Sequence, residues 1–251
     1  MNRSSSYICV TLLGLLILLS GCHRSSFPTP AIPSADTNSA SVQATSGIPV
    51  YQRKEKVTTP EAAMELLLEG NQRFKSGTVL NKDISITRRT DLLRNGQHPF
   101  AVIVSCSDSR VPPEMLFDQA LGDLFVIRVA GNVITPVELG SVEYAVEHLK
   151  VPLVVVLGHE SCGAVTAAVE GGETKGSISA VIAKITPSVI QAKSDNLAGN
   201  PLIEQCVNLN IQSSVLDLKK SPILKEALEK KQLQIIGSKY DLDEGGVSIL
   251  N

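Results

Sequence analysis

The sequence predicts an α/β fold, with a mostly parallel central β-sheet flanked by helices, and three observations predict it. Three short runs, 100–105 (FAVIVS), 124–129 (LFVIRV) and 153–157 (LVVVL), are β-branched and continuously apolar, the pattern of strands buried on both faces. Helical patterns separate and follow them, so the order is strand, crossover, strand, which calls for parallel pairing. Of the 251 residues, 43% are hydrophobic, enough for one ordinary domain with a substantial core.

The elements follow in chain order. Residues 8–19 (ICVTLLGLLILL) form an apolar run preceded by Arg3 and followed by the small residues Ser20 and Gly21, the layout of an export signal over 1–21. The run falls short of the roughly 20 residues that a membrane span needs, so an anchor helix is the weaker reading. Leu19-Ser20-Gly21-Cys22 resembles a bacterial lipobox, which implies that Cys22 is lipidated and that the chain is tethered to a membrane of the cell envelope, on its periplasmic or extracellular face. The competing reading is a soluble secreted protein cut near Gly21. Residues 23–50 are rich in Ser, Thr, Pro, Ala and Gly and lack apolar periodicity, so 22–56 reads as a flexible tether ahead of a domain at 57–251.

In that domain Thr59-Pro60 suits a helix start, Ala63, Leu66, Leu67 and Phe74 share a face, and Gly77 suits the stop, which predicts a helix over 60–76. Helices are also expected at 138–150 and 162–170, across most of 173–218, and from Ser221-Pro222 onward. Residues 232–240 and 246–250 read as a final strand and hairpin around Glu244-Gly245-Gly246. In open α/β sheets the ligand crevice borders the carboxyl ends of the strands, so chemistry is expected just after each strand.

Composition narrows the function. The formal net charge is only -2, with no basic stripe, so nucleic acid is excluded as a partner class. Trp is absent and aromatics are 4%, which argues against sugar-stacking platforms and aromatic cages.

Two strand ends hold the informative residues: Cys106-Ser107-Asp108-Ser109-Arg110 and His159-Glu160-Ser161-Cys162-Gly163. Cys106, Asp108 and Arg110 are spaced by two, so in an extended segment a thiolate, a carboxylate and a guanidinium share one wall. His159 and Cys162, at a strand-to-helix turn, can close on one ion, with Cys106 as a third soft ligand. Zinc accepts two thiolates and an imidazole, and three protein ligands leave the open fourth position that catalytic zinc sites keep. Two thiolates cancel the ion's formal charge, so a nearby base would help. Asp108 is the candidate base and Arg110 its bidentate, charge-assisted partner. Asp108 is also a candidate fourth ligand, which in that closed state would displace water and make the site inert.

Cys-Ser-Asp-Ser-Arg followed by His-x-x-Cys-Gly resembles the β-class carbonic anhydrases. The resemblance runs from Pro60 to the end, through GNQRF, HPFAVIVSCSDSRVPPE, GDLFVIRVAGN, GSVEYAV, VVVLGHESCGAV and YDLDEGGV. It implies reversible hydration of CO₂ to bicarbonate by zinc-bound hydroxide, with one zinc per subunit on Cys106, His159 and Cys162, Asp108 as base or reversible ligand, and Arg110 as its clamp. It further implies that Gln97 hydrogen-bonds substrate across a homodimer interface and that the Gly163 N–H lies near bound substrate. Members gated by a second bicarbonate carry a Trp-Arg-Tyr trio; Arg128 and Tyr144 match, but Ile103 stands where the Trp would be.

Competing readings are a CS₂ or carbonyl sulfide hydrolase on the same zinc scaffold, a non-catalytic zinc or bicarbonate binder, and a thiol redox protein with a Cys106–Cys162 disulfide. The last lacks a C-x-x-C motif. His98 and His148 read as surface residues and Cys206 as a small core hydrophobe. Ser161 fails the G-x-S-x-G test for a hydrolase elbow because His159 occupies the first Gly position.

Overall fold

A computed structural model of the chain describes residues 50–53 and 56–250; the export signal, Cys22 and most of the tether lie outside the described residues. Five strands, β1 (Ala101–Ser105), β2 (Leu124–Arg128), β3 (Leu153–His159), β4 (Gln234–Tyr240) and β5 (Val247–Leu250), form one sheet in the order β2-β1-β3-β4-β5. All pairings are parallel except β4 with β5, which is the expected terminal hairpin.

The three apolar runs are the first three strands, and β1 and β3 are buried along their whole length; β2, expected to be buried on both faces, lies at the edge of the sheet and is only half-buried. Alternation divides their side chains between two cores. Val102, Val104, Cys106, Val154 and Val156 face one, while Ala101, Ile103, Leu153, Val155 and Leu157 face the other. Each such side chain contributes roughly 1.5–3 kcal/mol on burial, so the sheet's central strands are the energetic centre of the fold.

Helices cover both faces. α1 (Pro60–Ser76) begins as its sequence requires: the Thr59 side chain accepts the Ala62 N–H, Pro60 occupies the first turn, and Gly77 closes the helix at φ 71. It packs Ala63 and Leu67 into the second core. α2 (Ile86–Asn95) and the one-turn α3 (Pro113–Leu116) were not legible in the sequence; α2 buries none of its residues, so no apolar stripe marks it.

α4 (Pro136–Glu147), α5 (Gly163–Glu170), α6 (Ile178–Lys193), α7 (Gly199–Lys219) and α8 (Pro222–Glu229) serve the first core. α4 starts two residues before the expected 138, at a capping box of Thr135 and Glu138. The expected 173–218 helix is two, α6 and α7, broken where Asn196 (φ 55) and Gly199 (φ 61) take left-handed backbone. Within the stretch read as a tether, Tyr51 bridges to Lys82 and Arg53 pairs with Asp123 at 3.0 Å, so these residues are tied to the domain.

The strand order positions the site. From β1 the chain goes to β2 on one side and then crosses to β3 on the other, which opens a crevice between the carboxyl ends of β1 and β3. Ser105 is level with Leu157, so Cys106 emerges beside Gly158 and His159. Gly158 is required there, because a Cβ would sit 2.5 Å from the side chain of Ile211 on α7.

Candidate metal centre

The structure brings Cys106, His159 and Cys162 together: one ligand atom from each lies within 4.8 Å of the others, and all three residues are buried. Cys106 continues the inward face of β1, His159 is the last residue of β3, and Cys162 caps the N-terminus of α5. Between the last two, Ser161 adopts φ 50, and this left-handed step turns Cys162 back toward His159.

The arrangement fits a tetrahedral zinc ion. Two sulfurs each bound at about 2.3 Å stand about 3.8 Å apart, and the two Sγ atoms are 3.9 Å apart. The His159 ring is fully buried, its Nδ1 lies 2.8 Å from the Glu160 carbonyl, and its Nε2 has no partner at all. Nδ1–H donating to that carbonyl leaves the Nε2 lone pair facing the sulfurs, the usual outer support of a metal-bound imidazole.

The sulfurs share a proton. A hydrogen bond from Cys162, with another from the Gly131 N–H, pulls Cys106 well below the ordinary thiol range against the effect of burial. Cys162 is pushed up by its bond to Cys106 and by burial. A dication replacing that proton satisfies both sulfurs. The thiols are free, so the disulfide expected of a redox protein is not formed.

Asp108 and Arg110 stand at the mouth. Arg110 donates from Nε to Oδ1 at 2.9 Å and from Nη2 to Oδ2 at 2.8 Å, and its backbone N–H donates to Oδ1 at 3.0 Å. The segment is therefore a tight turn and not the extended wall the spacing suggested; the side chains converge because the backbone folds back. The Arg110 hydrogen bonds hold the Asp108 carboxyl well below the usual carboxylate range despite its partial burial. Its Oδ2 lies 3.9 Å from His159 Nε2.

Arg128 has a role the sequence did not reveal. Its Nε donates to the Cys106 carbonyl at 3.2 Å and its Nη2 to the Asp108 carbonyl at 2.6 Å, pinning the backbone on either side of Ser107. Tyr144 instead packs against His148, ring centroids 5.1 Å apart and planes tilted by 47°, and Ile103 is buried in the opposite core. Gly163 opens α5 with free space where a Cβ would be. Gln97 is exposed beyond the end of α2. His98 and His148 are exposed and Cys206 is buried, as expected.

The sequence model of the carbonic anhydrase family matches residues 101–247. The chain belongs to the β-class carbonic anhydrases. It is 43% identical over 193 residues to carbonic anhydrase 2 of Mycobacterium tuberculosis, covering 75% of this chain and 91% of that one. The carbonic anhydrase of Mycolicibacterium smegmatis is 40% identical over 197 residues, 76% of this chain and 94% of its own. Among solved structures, a tetrameric β-carbonic anhydrase from Sordaria macrospora superimposes with a TM-score of 0.62 at 26% identity, over 66% of this chain and 87% of that one. Against this background the β-carbonic anhydrase reading of the Cys-His-Cys cluster needs no special local assumption, and neither the CS₂ or carbonyl sulfide hydrolase nor the inert binder gains an observation in its favour.

Proposed function

We infer that this chain catalyses the reversible hydration of CO₂ to bicarbonate and a proton, with one zinc held by Cys106, His159 and Cys162. The observation that carries the assignment of these ligands is the buried, partnerless Nε2 of His159 facing two sulfurs 3.9 Å apart. Zinc bound there supplies Lewis acidity, lowering the pKa of a coordinated water toward about 7.

The chain's own residues do the rest. The Glu160 carbonyl fixes the tautomer of His159. Asp108, kept ionised by Arg110, is a hydrogen-bond acceptor at the mouth of the site, placed to orient the water and pass its proton on without retaining it. Its partial exposure gives that proton a route to buffer. The Gly163 N–H, at the start of α5 with open space before it, is suited to hold an oxyanion of bicarbonate. Stopped-flow CO₂ hydration tests the assignment: Asp108→Ala lowers the rate by about 10²–10⁴-fold with zinc retained, and a full rate in that variant contradicts it.

The working unit is a homodimer in which Gln97 reaches the partner's substrate. Support comes from α2, just before Gln97, which buries none of its residues and leaves Ile86 73% and Leu93 85% exposed, an apolar face suited to cover by a second copy.

The protein is exported and anchored to the cell envelope through lipidated Cys22. The lipobox-like LSGC and the Ser/Thr/Pro-rich composition of the stretch after it support this. Fractionation of cells expressing the full chain and Cys22→Ala tests it. The native chain partitions with membranes and the variant does not; equal partitioning contradicts the anchor.

A further inference from the structure

Helix α7 buries two polar side chains in a row of hydrocarbon. Asn210 and Ser214, one turn apart and 2% and 3% exposed, interrupt the series Val207, Ile211, Val215 and Leu218. Buried amides and hydroxyls persist only where they are bonded. Both are, and to consecutive carbonyls of one turn: Asn210 Nδ2 donates to Gly131 O at 2.7 Å, and Ser214 Oγ donates to Asn132 O at 2.9 Å.

That turn takes two left-handed residues in succession, Gly131 at φ 68 and Asn132 at φ 45. Asn takes this conformation more readily than other residues with a Cβ, and the two carbonyl bonds add support from outside the turn. Glycine suits position 131 because its φ of +68 strains a residue with a Cβ and because Ile185 and the Ala164 Cβ, at 3.3 Å, would crowd one. On its other side the turn meets the metal centre, where the Gly131 N–H donates to Cys106 Sγ at 3.4 Å. The two struts hold the turn by its carbonyls while its amide points at the sulfur.

We propose that Asn210 and Ser214 are positioning residues of the metal centre, holding the 130–132 turn so that the Gly131 N–H stays aimed at the sulfur of Cys106 and limits the charge that sulfur donates to the ion. The proposal rests on Cys106 being a zinc ligand. An N–H bond to a thiolate lowers the energy of the sulfur lone pair, so its loss raises the donor level and moves sulfur-to-metal charge transfer to lower energy.

The test is the absorption spectrum of the cobalt(II)-substituted protein, together with zinc affinity by chelator competition. Asn210→Leu and Ser214→Ala shift the thiolate-to-cobalt band to lower energy and weaken zinc binding about 10-fold or more. The control is Asn71→Leu, which removes a buried asparagine that donates to the carbonyls of Leu116 and Gly245, in the opposite core. That variant loses stability and leaves the band in place. Should Asn210→Leu fail to fold, Ser214→Ala decides alone. If the native band is present and neither variant moves it beyond the control, the positioning role is overturned while the zinc assignment stands. If native protein binds cobalt without a thiolate band, both fall together.

Discussion

Arg110 grips both carboxylate oxygens of Asp108, at 2.9 and 2.8 Å, and by doing so keeps Oδ2 3.9 Å from the free nitrogen of His159. The same carboxylate would be attracted to a cation held by His159 and the two thiolates, and the fork of Arg110 opposes that attraction. With zinc bound as proposed, the pair would act as a latch on the fourth position as well as the site's base.

Releasing the latch gives the first prediction. Arg110→Ala frees Asp108 to turn toward the three ligand atoms, so CO₂ hydration falls by about 10²-fold or more while zinc content is unchanged. Arg110→Lys restores little, since an ammonium cannot reproduce the two-point grip. Stopped-flow rates and metal analysis on the same samples check this; a near-native rate for Arg110→Ala contradicts the latch.

The proposed dimer gives the second. Leu93→Asp places a charge on the exposed apolar face of α2, and sedimentation velocity then reports a monomer with much reduced activity. Gln97→Ala leaves the assembly intact and raises KM more than it lowers kcat, as expected of a residue that only binds substrate. A Leu93→Asp variant that still sediments as the native species contradicts α2 as the interface.

A third concerns stability away from the metal. The Asp118 carboxylate is buried and receives Arg73 Nε at 2.6 Å, the Lys82 ammonium and the Leu80 N–H, tying the end of α1 and the loop after it to the α3 region. Burial pushes its pKa up, but these donors together outweigh it and the carboxyl titrates below its ordinary range. A lowered folded pKa means that the stabilisation is fully present above the unfolded value of about 3.9 and is lost as pH falls through the folded one. Asp118→Ala therefore costs about 3 kcal/mol at pH 7, and the gap from native narrows below pH 4. Urea titrations at several pH values measure both; a pH-independent gap contradicts the assignment.

Most of the fold was legible because its central strands, β1 and β3, are buried on both faces and its helices carry local stops and starts. Thr59-Pro60, Gly77 and Ser221-Pro222 act through neighbours a few residues away, and the structure places caps there. What was not legible depends on distant partners. α2 has no buried stripe to read within one chain; the break between α6 and α7, by contrast, falls at 194–201 (SDNLAGNP), where Asn196, Gly199 and Asn200-Pro201 form a local stop signal that the reading of one long helix passes over. At the site, Cys106, His159 and Cys162 could be paired from residue type and position at strand ends. The period-two argument for Asp108 and Arg110 reached the right pair by the wrong backbone, since an Asp side chain accepting the N–H two residues on makes a turn. Arg128 carried no such signal, because its bonds go to backbone carbonyls 20 and 22 residues away in sequence.

The central claim is that two sulfurs and one imidazole hold a catalytic zinc ion, and the most direct measurement is zinc content and CO₂ hydration rate on reduced native protein and on Cys162→Ser. The native protein should carry one zinc per chain and hydrate CO₂ at pH 8, and Cys162→Ser should lose both together. Stoichiometric zinc without hydration in the native protein, or hydration that survives in Cys162→Ser after the metal is gone, would contradict the account.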